Sequence, residues 1–261
     1  YRRRADMLNY ESTKAMFESF RARWPHTTGI IQWMLNGARP SLYWQLYDHF
    51  LCPNASFYSV KKACQPVQLI YNHLTHDVKA VNGTLQPVKV KATMKVYGVS
   101  GSLQDSQEID VEIPAMGNVP VFNPIALKED NGYLFLTCQA DGQVIAENEY
   151  ALTTDVDVFD WPKSDWTGTP ILKHADLKAI GSQTPVKCKV KVEMIHPTEA
   201  RLTISNPSDR VAYLMRIVLK DKKGQMIDGV TFSDNYVTIA PGSEKTVSCR
   251  LPQPVKFTAD I

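Results

Sequence analysis

Val88-Lys-Val-Lys-Ala-Thr-Met-Lys-Val-Tyr97 is the stretch on which the fold turns. Val88, Val90, Ala92, Met94 and Val96 alternate with Lys89, Lys91, Thr93, Lys95 and Tyr97. A period of two puts the apolar set on one face of a half-buried antiparallel strand. Ile109, Val111 and Ile113 repeat the pattern against Asp110 and Glu112. The turn signals Asn82-Gly83 and Asp141-Gly142 each lie between strand-like runs, and the second predicts a hairpin of 133–140 with 144–152. About seven short strands between 67 and 155 suit an immunoglobulin-like sandwich.

Downstream, 155–185 loses the alternation, opens on Asp155, Asp157 and Asp160 and carries Trp161 and Trp166, so it reads as a structured connector. A second sandwich then begins. Val186, Cys188, Val190, Val192 and Met194 alternate with lysines and Glu193. Further strands are expected at 201–205, 213–220, 236–239 and 246–251, with turns at Asp221-Lys-Lys-Gly224 and Pro241-Gly242.

Upstream the period changes. Leu8, Met16, Phe17 and Phe20 recur at helical spacing, with Lys14, Glu18 and Arg21 expected to face water. Pro25 ends that helix, and Gly29-Ile-Ile-Gln-Trp-Met-Leu35 reads as a strand buried on both faces. A second helix follows at about 56–64, preceded by Pro53-Asn54 and stopped by Pro66. Helix, buried strand, helix is the order of a parallel α/β barrel, whose active-site loops follow the strands. One such unit cannot be a domain, because a strand of this kind needs parallel neighbours. The expected fold class is therefore mainly β: two immunoglobulin-like sandwiches at 66–155 and 186–261, joined by the connector 156–185. A terminal α/β fragment of a TIM barrel, 1–65, precedes them.

Composition narrows the function. With 29 basic and 27 acidic residues the formal charge is +2, which is no footprint for nucleic acid. No run of eighteen apolar residues suggests a membrane span, and no signal peptide is visible at Tyr1. Cys52, Cys64, Cys138, Cys188 and Cys249 lack a C-x-x-C pair, so they read as free thiols, with a Cys188–Cys249 bond as the alternative. Neither a metal nor a cofactor is expected: His73 and His76 have no further ligands near them in sequence, and Asp155, Asp157 and Asp160 lack the glycine and terminal glutamate of a calcium loop. A retaining glycosidase needs two carboxylates about 5 Å apart, and no convincing pair stands in the barrel-like segment, where Glu11 and Glu18 read as a solvated helix face. Ile31-Gln-Trp-Met-Leu-Asn36 and Pro40-Ser-Leu-Tyr-Trp-Gln-Leu-Tyr-Asp48 concentrate aromatics and amides suited to sugar rings and hydroxyls. From composition alone Trp33 and Trp44 read rather as core anchors.

Asn9-Tyr-Glu-Ser-Thr-Lys-Ala-Met-Phe-Glu18, Thr28 to Asn36, Pro40 to Asp48 and Phe57-Tyr-Ser-Val-Lys-Lys-Ala-Cys64 together resemble the end of the catalytic barrel in glycoside hydrolase family 2. The likeness is nearest to the exo-β-D-glucosaminidases, with β-mannosidases next. Val158-Phe-Asp-Trp161, Phe232-Ser-Asp-Asn-Tyr236 and Pro241-Gly242 resemble the C-terminal immunoglobulin-like domains of the same enzymes. The resemblance implies a retaining double displacement by two glutamates, both upstream of Tyr1, so no catalytic residue is expected on this chain. It also implies that Trp33 floors the subsite of the non-reducing sugar, with Asn36 and Trp44 as nearby contacts. The partners implied are a carbohydrate substrate and the remainder of the barrel, with a homo-oligomer as an option. A secreted or periplasmic location is implied too, its signal peptide encoded further upstream. Alternatives are β-mannosidase or β-galactosidase specificity, or a non-catalytic carbohydrate-binding sandwich. The polar strand phases are mainly lysine, threonine and glutamate, which favours scaffold domains over a binding face.

Overall fold

The computed structural model of the chain describes residues 1–41, 45–123 and 125–261. Seven strands form the first sandwich: β1 (Val67–Tyr71), β2 (Val78–Asn82), β3 (Val88–Gly98), β4 (Leu103–Ile113), β5 (Gly117–Phe122), β6 (Asn131–Ala140) and β7 (Gln143–Thr153). They make two antiparallel sheets, ordered β1-β2-β5 and β4-β3-β6-β7. The alternation in β3 does what its period requires, with Val90, Ala92, Met94 and Val96 buried against Leu134, Leu136 and Tyr150. Tyr133 pairs with Ala151 and Cys138 with Ala146, so the predicted hairpin forms.

The connector holds a small hairpin, β8 (Val158–Phe159) with β9 (Ile171–Lys173). The second sandwich follows as β10 (Lys189–His196), β11 (Glu199–Ser205), β12 (Ala212–Met215), β13 (Val218–Lys220), β14 (Thr231–Phe232), β15 (Val237–Ile239), β16 (Glu244–Arg250) and β17 (Thr258–Asp260). One sheet runs β10-β11-β16-β14, faced by the pairs β12–β15 and β13–β17. Leu202, Ile204, Val237 and Val247 are fully buried between them. The single strand expected at 213–220 is two, divided at Arg216-Ile217. All five cysteines are free, and Cys188 Sγ meets Met215 Sδ rather than Cys249.

Both sandwiches use the same corner. Asn82 Nδ2 donates to the carbonyls of Gln86, Ile113 and Pro114, while its Oδ1 accepts from Thr84 N and Oγ1. Asn206 Nδ2 donates to Arg210, Ile239 and Ala240, while its Oδ1 accepts from Ser208 N and Oγ. A buried amide thereby satisfies carbonyls that a loop would otherwise leave unpaired.

Helix α1 (Arg2–Arg21) and helix α2 (Ala55–Ala63) lie side by side. Asn54 caps α2 by accepting from Phe57 N, as Pro53-Asn54 foretold. Thr13 Oγ1 meets Ser56 Oγ at 3.4 Å near the start of α2, while Arg21 donates to the carbonyl of Ala63 at its end. The helices are therefore parallel.

In this segment one expected element is not formed and one expectation is overturned. Residues 28–35 are irregular, with Ile31 and Leu35 exposed. A strand meant to be buried on both faces needs neighbouring strands; among the described residues none pairs with 28–35, and the carbonyl of Leu35 accepts from Leu46 N and Tyr47 N. Residues 1–65 thus hold two helices and no formed strand among the described residues, so a TIM-barrel fragment is not shown. The inward face of α1 is also reversed: Leu8, Met16 and Phe20 are exposed, whereas Lys14 and Glu18 are buried with Tyr10 and Phe17. Buried charges give the reason, since partners on the sandwiches satisfy them.

Candidate functional site

Trp33, Asn36 and Trp44 belong to the excursion between α1 and α2. Trp33 is 79% exposed, so in this chain it anchors no core. Asn36 forms a parallel bridge with Tyr47, whose ring packs on Phe57 at 5.2 Å in the first turn of α2. Asn54 Nδ2 donates to Gln45 O at 2.6 Å. This brings Asn36, Gln45 and Tyr47 together at the N-terminal end of α2. Trp44 lies outside the described residues. Asp48 is the sole acidic residue between Arg23 and Gln65, and its Oδ1 accepts from Phe50 N and Cys52 N at 2.9 Å. It shapes the loop, with both of these accepting contacts spent on backbone N–H groups at the turn.

The densest chemistry lies elsewhere, where the helices meet both sandwiches. Lys62 Nζ reaches Glu149 Oε2 at 2.5 Å and Asp234 at 3.7 Å. Lys245 reaches Glu147, Glu149 and Asp234 at 3.2, 3.4 and 3.1 Å. Lys14, wholly enclosed, donates to the Glu149 carbonyl and lies 4.0 Å from the centre of the Tyr150 ring. Glu18 accepts from Asn148 Nδ2 at 2.6 Å and Tyr150 OH at 2.8 Å. Tyrosines line the same junction: Tyr10 and Tyr58 from the helices, Tyr133 from β6, Tyr213 and Tyr236 from the second sandwich. Tyr213 OH donates to Glu11 Oε1 at 2.8 Å. Glu11 and Glu18 are therefore interface groups and not the solvated face expected of them.

Burial pushes the Glu18 carboxyl up to about 7, against Lys14 and the hydrogen bonds from Asn148 and Tyr150. Burial also opposes the charge on Glu149, but Lys62 and Lys245 outweigh it and hold that carboxyl down at about 2. Two carboxyls driven apart in this way are the pattern of an acid and base pair. Geometry argues otherwise. Glu18 meets side chains on the Asn148 and Tyr150 face of β7, while Glu149 points from the opposite face toward Lys62 and Lys245. Every carboxylate oxygen of the two is engaged by protein, and the cluster joins three bodies.

Sequence reasoning missed this junction. A signal was present: Tyr10, Thr13, Lys14, Phe17 and Glu18 follow i, i+3, i+4, i+7 and i+8, a second stripe on α1 beside the apolar one. A helix with two such stripes is covered on two sides. The aspartates of the connector pair locally, Asp155 with Lys173 and Asp160 with Lys163. His76 Nδ1 shares a hydrogen bond with Tyr71 OH.

Residues 166–259 match the family model of the exo-beta-D-glucosaminidase Ig-fold domain, and residues 75–155 match that of the mannosidase Ig/CBM-like domain. An exo-beta-D-glucosaminidase of Arthroderma benhamiae is 30% identical over 269 residues, covering 100% of this chain and 30% of the relative. Beta-mannosidase B of Emericella nidulans is 21% identical over 258 residues, covering 90% of this chain and 27% of the relative. The crystal structure of the exo-chitosanase CsxA of Amycolatopsis orientalis superposes with a TM-score of 0.86 at 26% identity, covering 99% of this chain and 34% of that one. The chain spans about 30% of the length of the curated relatives it matches.

Proposed function

Since the chain carries the immunoglobulin-like domains of the glycoside hydrolase family 2 exo-β-D-glucosaminidases and mannosidases, we propose that it is the C-terminal portion of a retaining exo-β-glycosidase. The enzyme would release terminal β-linked glucosamine from chitosan-type oligosaccharides. In that reading 1–65 supplies the last strand and flanking helices of the catalytic barrel, and the two sandwiches are scaffold. The rest of the barrel is the partner that covers the exposed outer face of α1, and the enzyme acts outside the cytoplasm on a polymer.

One observation carries most of this. Successive helices of a (β/α)8 barrel are parallel because each follows a strand running the other way. Helices α1 and α2 are parallel, and the excursion between them returns the chain to the N-terminal end of α2. Residues 28–35 lie in that return, where the eighth strand belongs. Trp33 and Asn36 would then project toward the site at the strand's C-terminal end.

The test is a comparison of substrates by the protein encoded by the complete reading frame. We expect aryl β-glucosaminide to be cleaved with higher kcat/KM than aryl β-mannoside; the reverse order would move the enzyme to the β-mannosidases. That second reading draws support from the mannosidase-type match over 75–155 and the relative in Emericella nidulans.

A further inference from the structure

The hairpin of β8 and β9 is built in an unusual way. Among the described residues of 156–174 none is buried, Trp166 is 95% exposed and Trp161 is 68% exposed. Phe159 lies against Trp161 with ring centres 5.2 Å apart. What holds the loop is polar. Ser164 Oγ meets Thr169 Oγ1 at 2.7 Å, Asp165 Oδ1 accepts from Thr167 N and Gly168 N, and Asp160 pairs with Lys163 at 2.8 Å. An isolated two-stranded hairpin is marginal in water, and large aromatics grouped on a surface mark a place of recognition.

Its position says what it recognises. The foot of the hairpin, Asp155 and Lys173, faces Arg4 and Met7 of α1 across an open hollow of about 800 Å³. These are the first two turns of the helix. In a (β/α)8 barrel each helix begins at the face where the strands end, and that face is the catalytic one. We propose that Trp161 and Trp166 receive the sugar units that follow the cleaved residue in an amino-sugar oligomer. This inference rests on the function proposed above. Of the five aspartates between 155 and 176, Asp155, Asp160 and Asp176 pair with Lys173, Lys163 and Lys178, which leaves Asp157 and Asp165 on the hairpin as the carboxylates that a protonated amine can meet. Indole faces suit both the apolar face of a pyranose and a nearby ammonium group.

The experiment uses the complete enzyme in three forms: wild type, Trp161→Ala with Trp166→Ala, and Trp161→Phe with Trp166→Phe. Each is assayed on a β-linked glucosamine tetramer and on an aryl β-glucosaminide, which has no following sugar. The alanine pair should lose about tenfold in kcat/KM on the tetramer, the size of one or two ring contacts, with no change on the aryl substrate. The phenylalanine pair should recover most of the loss. Unchanged turnover of the tetramer would overturn the proposal. Equal losses on both substrates with a lower melting temperature would overturn it too, assigning the hairpin to packing on the rest of the protein. A wild type inactive on both substrates would instead bring down the proposed function, and this inference with it.

Discussion

Glu18 and Glu149 set opposite pH dependences a short distance apart. The Glu18 carboxyl, raised by burial from 4.5 to about 7, contributes stability that is complete below pH 4.5 and lost as pH rises through 7. At about 1.4 kcal/mol per pH unit this amounts to roughly 3 kcal/mol. Glu149, held at about 2 by its lysines, contributes stability present above pH 4.5 and lost as pH falls toward 2. A Glu18→Gln variant should therefore match wild type near pH 4.5 and be the more stable of the two by about 2–3 kcal/mol at pH 8. Urea titrations at the two pH values decide it; parallel curves for both proteins at both values would refute it. Replacing Asn206 by Ala should cost on the order of 2–3 kcal/mol, because the carbonyls of Ile239 and Arg210 lose their donor in a closed corner. At this scale the sequence was a poor guide. Charge is read as solvated by default, and only the partners on β7, more than a hundred residues away, reverse that for Lys14 and Glu18.

Among the elements, α1 shows how far periodicity reaches. Leu8, Met16 and Phe20 predicted a helix correctly and its inward face wrongly, because in this chain their face has nothing to meet. The strand at 28–35 failed for the same reason: hydrophobic content signals burial, but pairing needs neighbours. In the sandwiches, where both faces of the core lie within the chain, alternation was enough to place β3, β4, β6 and β7. Trp33 and Asn36 were singled out by their aromatic and amide chemistry and given a role only by family likeness, while no local pattern gave the junction. The unpartnered face should make the 261-residue chain self-associate, and Leu8→Glu with Met16→Lys should restore a monomer by size exclusion. In the complete enzyme Trp33→Phe should keep the melting temperature and lower kcat/KM at least tenfold, about 1.4 kcal/mol; full activity with a lowered melting temperature would make Trp33 a packing residue. Close approach also constrains β3–β4: a methyl at Gly101, where φ is +91°, would lie 1.8 Å from the Asp209 carbonyl oxygen, so the two sandwiches touch backbone to backbone there.

Taken whole, the molecule is two cores bolted through one charged junction. Lys62 comes from a helix, Glu149 from the first sandwich, and Asp234 and Lys245 from the second. Breaking a buried pair leaves an uncompensated charge, at a cost of about 3 kcal/mol or more. Calorimetry of the wild-type chain should show one transition for both sandwiches, and Lys62→Met should split it in two. A single transition in the variant would mean that the tyrosine cluster alone couples them. The chain by itself should not hydrolyse aryl β-glucosaminide above a heat-treated control, since Asp48 has no carboxylate partner in 22–65.

The corner at Asn82 bears on how the protein can be made. Asn82-Gly83-Thr84 and Asn54-Ala55-Ser56 both satisfy the acceptor pattern for N-linked glycans. In the folded chain Asn82 Nδ2 serves three carbonyls, and Asn54 Nδ2 serves Gln45 beside the helix it caps. An oligosaccharyl transferase acts on the nascent chain before these bonds close, and a glycan on either nitrogen would occupy the space the fold requires. Passage through a eukaryotic secretory route should yield glycosylated, misfolded product by mass spectrometry and circular dichroism, while a bacterial host delivers the native form.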